Sequence, residues 1–412
     1  MKNLEQNIDK NFNYSKSDFG DDFILGVASS AFQAERNNDA FRKGASIWDE
    51  FSSRNKTTLK YDSPNSAMNF HENYKEDVKL VKALSIPYFS FSISWSRILP
   101  NGIGEINQEG INFYNDVLDA CIENKIEPFV TLYHSDLPHE LEKKGGWTNR
   151  TILDWFEEYT KVCVNAFKTK VKYWVVLSEP SVFVGVGYFI GIHTPGKKGI
   201  KNFLPAMHHS LLCQSIGYKT IKEIDVTSQV GTTFSCSYIS PKTNSEKNSK
   251  AAERIDALLN KAFIEPSLGL GYPIASLPFL KHINKYLVKG DEDLIKVEFD
   301  FIGLQNYTRE VVEHNSYTPY VNAKLIRANK RNVDSTLIDW DIHRKSIYMM
   351  ILKFSEYSGV KKIIITGNGA SILDEVKSDI INDEKSINYK ESYLQQVLYS
   401  KEKTDKVKGC FI

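Results

Sequence analysis

Apolar residues in this chain recur in eight short runs, many of them β-branched or aromatic, at 23–28, 88–94, 128–133, 173–177, 230–234, 301–304, 363–366 and 407–412. Each is of strand length, and the segments between them carry a different period. In Tyr74-Lys75-Glu76-Asp77-Val78-Lys79-Leu80-Val81-Lys82-Ala83-Leu84 the apolar residues fall at helical spacing while the charges take the other face. Strands alternating with amphipathic helices predict a parallel sheet, and eight such units predict closure into a (β/α)8 barrel, an α/β fold of the TIM type. Barrels of this kind place their chemistry at the C-terminal ends of the strands. We expect a single domain over 21–412, preceded by a mobile polar tail over 1–20 that is rich in Asn, Lys, Ser and Asp. The polar stretch 240–250 reads as a surface loop.

Composition narrows the partners. The net charge of +1 and pI near 7.6 offer no electrostatic footprint for nucleic acid or an acidic membrane. The opening Met1-Lys2-Asn3-Leu4-Glu5 lacks the apolar core of a signal peptide, and no run approaches the roughly 18 apolar residues of a membrane span. A cytoplasmic location is expected. Cys121, Cys163, Cys213, Cys236 and Cys410 are odd in number, scattered and mostly in apolar surroundings, which fits reduced buried thiols. No Cys and His spacing suggests a metal site, so neither metal nor cofactor is expected.

Two strand ends carry the candidate chemistry. The fourth run, Lys172-Tyr173-Trp174-Val175-Val176-Leu177-Ser178-Glu179-Pro180, stops at a carboxylate followed by proline, whereas the seventh, Lys362-Ile363-Ile364-Ile365-Thr366-Gly367-Asn368-Gly369-Ala370, stops at a glycine. These ends resemble the N-E-P and T-E-N-G motifs of glycoside hydrolase family 1, the β-glucosidase family. Ser46-Ile47-Trp48-Asp49, Phe91-Ser92-Ile93-Ser94-Trp95-Ser96-Arg97-Ile98, Thr131-Leu132-Tyr133-His134-Ser135-Asp136-Leu137-Pro138, Gly145-Gly146-Trp147-Thr148-Asn149-Arg150 and Asp300-Phe301-Ile302-Gly303-Leu304 are similar to further family signatures, in family order. The similarity runs from about Asp22 to the last residue.

The resemblance implies a β-linked saccharide or aryl glycoside as substrate, plain or phosphorylated. It makes Glu179 the general acid and base and puts Gly367 where the nucleophile belongs. Retaining hydrolysis needs two carboxyl groups about 5–5.5 Å apart, and this chain presents one. The family's arginine partner of the nucleophile is Ser90 here, its asparagine before the acid and base is Ser178, and its Tyr-His-Trp-Asp tryptophan is Ser135. Gln305-Asn306-Tyr307 stands for Asn-Tyr-Tyr. Gln33, His134, Ser178, Gln305 and Tyr307 remain as substrate-binding candidates beside Glu179.

Gly409-Cys410-Phe411-Ile412 resembles the start of the eighth strand, after which the family continues into a tryptophan, a glutamate-bearing loop and a final helix. The eighth unit is therefore expected to be truncated, with an oligomer or partner covering the apolar surface. The expected function is a family 1 β-glycosidase by ancestry whose hydrolysis is lost or very weak. The alternatives are a non-catalytic carbohydrate-binding or scaffold protein, or a transferase-like activity on activated α-linked donors admitted by a small cavity beside Gly367. His208 and His209 read as packing residues, Trp48 and Trp95 as core aromatics, and Asp374 and Glu375 as solvated loop acids rather than replacement nucleophiles.

Overall fold

The eight apolar runs become the strands of one closed parallel barrel. A computed structural model describes residues 14–35, 42–55, 69–372, 375–377 and 380–412. The strands are β1 Ile24–Ala28, β2 Tyr88–Ser92, β3 Glu127–Tyr133, β4 Tyr173–Ser178, β5 Gln229–Ser235, β6 Phe301–Gln305, β7 Ile363–Gly367 and β8 Val407–Phe411. Their order around the barrel is β1-β8-β7-β6-β5-β4-β3-β2, closed by Ile24 opposite Gly409 and Gly26 opposite Tyr88. The main helices are α1 Phe70–Ala83, α2 Gln108–Glu123, α3 Ile152–Phe167, α4 Ile200–Ile224, α5 Glu246–Asp256, α6 Lys345–Ser355 and α7 Glu384–Lys403. No helix among the described residues is long and apolar enough to cross a membrane.

Two expectations shift. Residues 1–13 lie outside the described residues, but the turn Lys16–Phe19 is packed: Phe19 is buried against Phe23, and Gln395 Nε2 on α7 donates to the Tyr14 hydroxyl at 3.1 Å. The packed unit thus begins before residue 21, because Phe19 has an apolar seat. The 240–250 stretch is not a loop throughout. Strand Tyr238–Pro241 opens a three-stranded sheet, and α5 starts at Glu246 behind Ser245, whose hydroxyl accepts from the Asn248 N–H. The polar residues are the solvated first turns of a helix that buries Ala251, Ala252 and Ile255.

Inside the barrel the period of two sorts side chains into layers. Ile24, Phe129, Val175, Phe301, Ile364 and Phe411 form a separate apolar cluster with Tyr88 and Tyr173 against it. Phe129 is its hub, with ring centroids 4.9 Å from Phe411, 5.2 Å from Phe301 and 5.3 Å from Tyr173. Glycine makes this filling possible: a Cβ at Gly26 would run into the Phe411 ring, and one at Gly231 into Phe301. Two positions further along β2, β3 and β7 stand Ser90, Thr131 and Thr366, so hydroxyls succeed aromatics towards the C-terminal mouth.

Two buried polar clusters brace the loops. Arg97, at 1 % exposure, pairs with Glu35 through Nη2 at 2.7 Å and Nε at 2.9 Å, and Tyr114 donates to the other Glu35 oxygen at 2.8 Å. Burial opposes the Arg97 charge and the Glu35 carboxylate restores it. Removing one partner would strand a buried charge at a cost of about 3–5 kcal/mol. In the second cluster His208 donates to Asp291 at 2.7 Å and accepts from the Tyr272 hydroxyl at 2.9 Å, while His209 Nδ1 donates to the Trp147 carbonyl at 2.9 Å. Both histidines are buried packing residues. All five cysteines are free and buried.

Burial pushes His209 down to about 4. An unfolded imidazole takes up its proton near pH 6.5, so the unfolded chain binds more protons below that pH while folded His209 stays neutral to about 4. Stability is therefore full above pH 6.5 and declines between 6.5 and 4, this one group contributing up to about 1.4 kcal/mol per pH unit. His209→Gln should flatten that decline in urea unfolding at stepped pH; an unchanged pH slope would contradict it.

Candidate active site

The two strand ends singled out by sequence both carry an irregularity in strand pairing. The register between β4 and β5 shifts between Val175 and Ser178, and that between β7 and β6 shifts between Ile365 and Gly367. Such bulges re-aim the residues that follow. Glu179 has φ 54° and ψ 54°, a left-handed conformation that is uncommon for a side-chain-bearing residue and disfavoured further by the proline that follows. Its N–H bonds to the Thr233 carbonyl at 2.9 Å, and its carbonyl accepts from Val182 and Phe183 in the helical turn that Pro180 opens. Such strain, held in place by surrounding bonds, makes Glu179 a candidate functional position.

Gln33, His134, Ser178, Gln305, Tyr307 and Gly367 line one cavity of about 160 Å³ at the mouth, together with Ser90, Thr131, Thr233 and Thr366. Gln33 is held by the Ser30 hydroxyl at 2.9 Å, two residues before the Glu35 anchor. Glu179 stands beside this cavity: its Oε2 is 3.8 Å from His134 Nε2, and its side chain is 15 % exposed. Among the described residues, no Asp or Glu side chain lines the cavity itself.

A side chain at Gly367 would meet its neighbours on the cavity wall. A Cβ at this position would lie 2.6 Å from the Tyr307 hydroxyl and 3.1 Å from two carbons of Gln305. Tyr307 donates to Gln305 Oε1 at 3.1 Å, and Gln305 Nε2 reaches the Ser178 hydroxyl at 3.5 Å. This chain of three residues links the β6 end to the β4 end and satisfies its own buried polar groups. Burial, then the Glu179 charge, pushes the Tyr307 phenol up, so it stays a neutral donor. Burial pushes His193 down, with Glu179 partly offsetting, which places a neutral imidazole near that carboxylate. The arrangement can hydrogen-bond a polyol and exchange one proton.

Other residues fall where their surroundings dictate. Trp95 is buried, donating to the Gly102 carbonyl and stacking on Tyr159 at 4.6 Å. Trp48 packs between Phe32 and His193 at 5.2 and 5.5 Å. Asn306 faces away from the cavity, bonded to the Cys236 carbonyl and to Ser346. Asp374 lies outside the described residues, and Glu375 opens an antiparallel pair, 375–377 with 380–382. Sequence reasoning missed Trp340, whose ring lies 5.7 Å from Tyr307 and is 39 % exposed. A tryptophan in the polar segment after β6 was the available signal, since an exposed aromatic needs a reason to be there. It missed Asn368 too, which lines the cavity and donates to the Asn306 carbonyl at 2.7 Å.

The family model described as Glycosyl hydrolase family 1 matches residues 15–412. A 1,4-beta-D-glucan glucohydrolase of Thermotoga neapolitana is 33 % identical over 396 residues, covering 96 % of this chain and 92 % of the relative. A 6-phospho-beta-glucosidase, GmuD, of Bacillus subtilis is 32 % identical over 410 residues, covering 95 % and 87 %. Among solved structures, a family 1 β-glucosidase from Thermotoga maritima superposes with a TM-score of 0.90 at 32 % identity, covering 95 % of this chain and 88 % of that one. The Thermotoga maritima enzyme is also solved in complex with deoxynojirimycin.

The contact at Gly367 is testable through stability alone. Gly367→Ala should cost about 1–3 kcal/mol by overpacking. Tyr307→Phe in the same chain should recover at least about 1 kcal/mol of that in a double-mutant cycle read by urea unfolding. Strict additivity would mean that the hydroxyl does not fill the space.

Proposed function

Since the chain belongs to glycosyl hydrolase family 1, a β-glycosidase family by ancestry, we propose that it binds a β-linked glycoside at the barrel mouth and does not hydrolyse it by the retaining route. One observation carries this reading: the β7 end at the cavity is Gly367, with no side chain, and a Cβ there would already meet the Tyr307 hydroxyl and Gln305. Retaining hydrolysis forms a covalent bond between the sugar and a carboxylate, and a residue without a side chain cannot supply one. Ser90 fits the same account. An arginine there would face no Asp or Glu side chain among the described residues that line the cavity, and an unpaired desolvated cation costs several kcal/mol.

Binding is supported by what remains. Gln33, His134 and Tyr307 offer donors and acceptors to a neutral polyol, Glu179 offers a charge-assisted acceptor beside His134, and Trp340 offers a partly exposed apolar face next to Tyr307. Family 1 glycosidases bind β-linked glycosides, and the relatives include enzymes named for plain and for 6-phosphorylated sugars.

The test pairs turnover with binding. The purified protein should release no more than trace nitrophenol from 4-nitrophenyl β-glucoside, several orders of magnitude below a complete family member. It should still bind deoxynojirimycin in a calorimetric titration, and Glu179→Gln should weaken that binding by about tenfold. Steady-state hydrolysis with a covalent intermediate trapped by a fluorinated sugar would overturn the reading, and so would absence of any sugar binding.

A further inference from the structure

A second cavity, independent of the barrel-mouth reading, lies where the 191–199 segment enters α4. Because α4 follows β4, its N-terminus faces the same side of the barrel as the strand ends. The cavity measures about 460 Å³, and its walls include Lys198, Lys201, His282, Lys285, Tyr286 and Tyr320. Its charge is one-sided. No Asp or Glu lines it, and among the described residues none of the three lysines forms an ion pair, whereas neighbouring Lys197 is paired with Glu142. Cations gathered without a counter-charge repel one another and raise the local concentration of anions.

Two further features give the groove a shape for more than a bare ion. Tyr320 is 44 % exposed on the cavity side while its ring rests on Phe279 at 5.5 Å and Phe189 at 6.0 Å, a fixed flat wall. The 25-residue helix α4 begins behind Gly199, which has no side chain with which to cap it. The first backbone N–H groups, at Ile200 and Lys201, are therefore left to an outside acceptor, in a place where the helix dipole favours negative charge.

We propose that this groove binds a phosphate-bearing small molecule, with the phosphate on Lys198, Lys201, Lys285 and the start of α4, and a planar or apolar part against Tyr286 and Tyr320. Nucleotides and sugar phosphates share that chemistry. Calorimetric titration of the full chain with AMP, glucose 6-phosphate and sodium phosphate, with adenosine and glucose as uncharged controls, separates them. The expected result is salt-sensitive binding of a phosphate compound and none of its uncharged counterpart. Preference for AMP identifies a nucleotide-type ligand, and preference for glucose 6-phosphate a sugar phosphate. Lys201→Gln with Lys285→Gln, both exposed positions, should weaken that binding about tenfold or more while leaving deoxynojirimycin binding at the barrel mouth unchanged. The proposal is overturned if no phosphate compound binds at millimolar concentration, if the double substitution changes nothing, or if deoxynojirimycin displaces the phosphate compound.

Discussion

Closure of the parallel sheet is the constraint from which the rest follows. A barrel with no free edge pairs every strand with two neighbours, and the volume it encloses is fixed by strand number and stagger. That volume must be filled at the density of an organic crystal. Here Phe129, Phe301, Phe411 and Tyr173 fill the interior, and Gly26 and Gly231 yield the room that Phe411 and Phe301 take. With the interior packed, the next positions along β2, β3 and β7 project into the mouth, where Ser90, Thr131 and Thr366 stand. The scaffold is therefore indifferent to the chemistry at its mouth. Barrel packing rests on the lower layer, while Glu179 and Gly367 stand at the strand ends beyond it.

That separation lets residues at the mouth vary while the barrel keeps its fold. Loss of a side chain in a close-packed region leaves either a void or a relaxed neighbour, and which one occurs decides what the site can still admit. Tyr307 and Gln305 border the place where a side chain at Gly367 would project, and their hydrogen bonds to each other and towards Ser178 leave few orphaned groups. Ser90 and Gly367 are both uncharged, so neither leaves an unpaired ion in the partly desolvated cavity.

Much of the fold was legible because its signal is local. All eight strands lie within two residues of the apolar runs, since alternation and β-branching report burial in a sheet directly. The α5 start was not, because its first turns are solvated and read as polar loop until Ala251 and Ile255 find the core. Leu80 illustrates the converse: it fits the helical stripe of α1 yet is 64 % exposed. In the site, motif resemblance located Glu179 and Gly367 by their strand ends. The filling of the space beside Gly367 was invisible, because it depends on side chains from another strand that no spacing rule connects. Trp340 was hidden for the same reason, lying 33 residues after Tyr307 in sequence and 5.7 Å from it in space.

The bond chain from Tyr307 through Gln305 to Ser178 has a consequence for how such a chain could change over generations. Any side chain introduced at 367 meets a hydroxyl before it meets a ligand. A lone replacement there carries a packing penalty that a simultaneous change at Tyr307 or Gln305 would relieve. Positions coupled in this way work as a ratchet, each settled neighbour making it harder for the other to change alone.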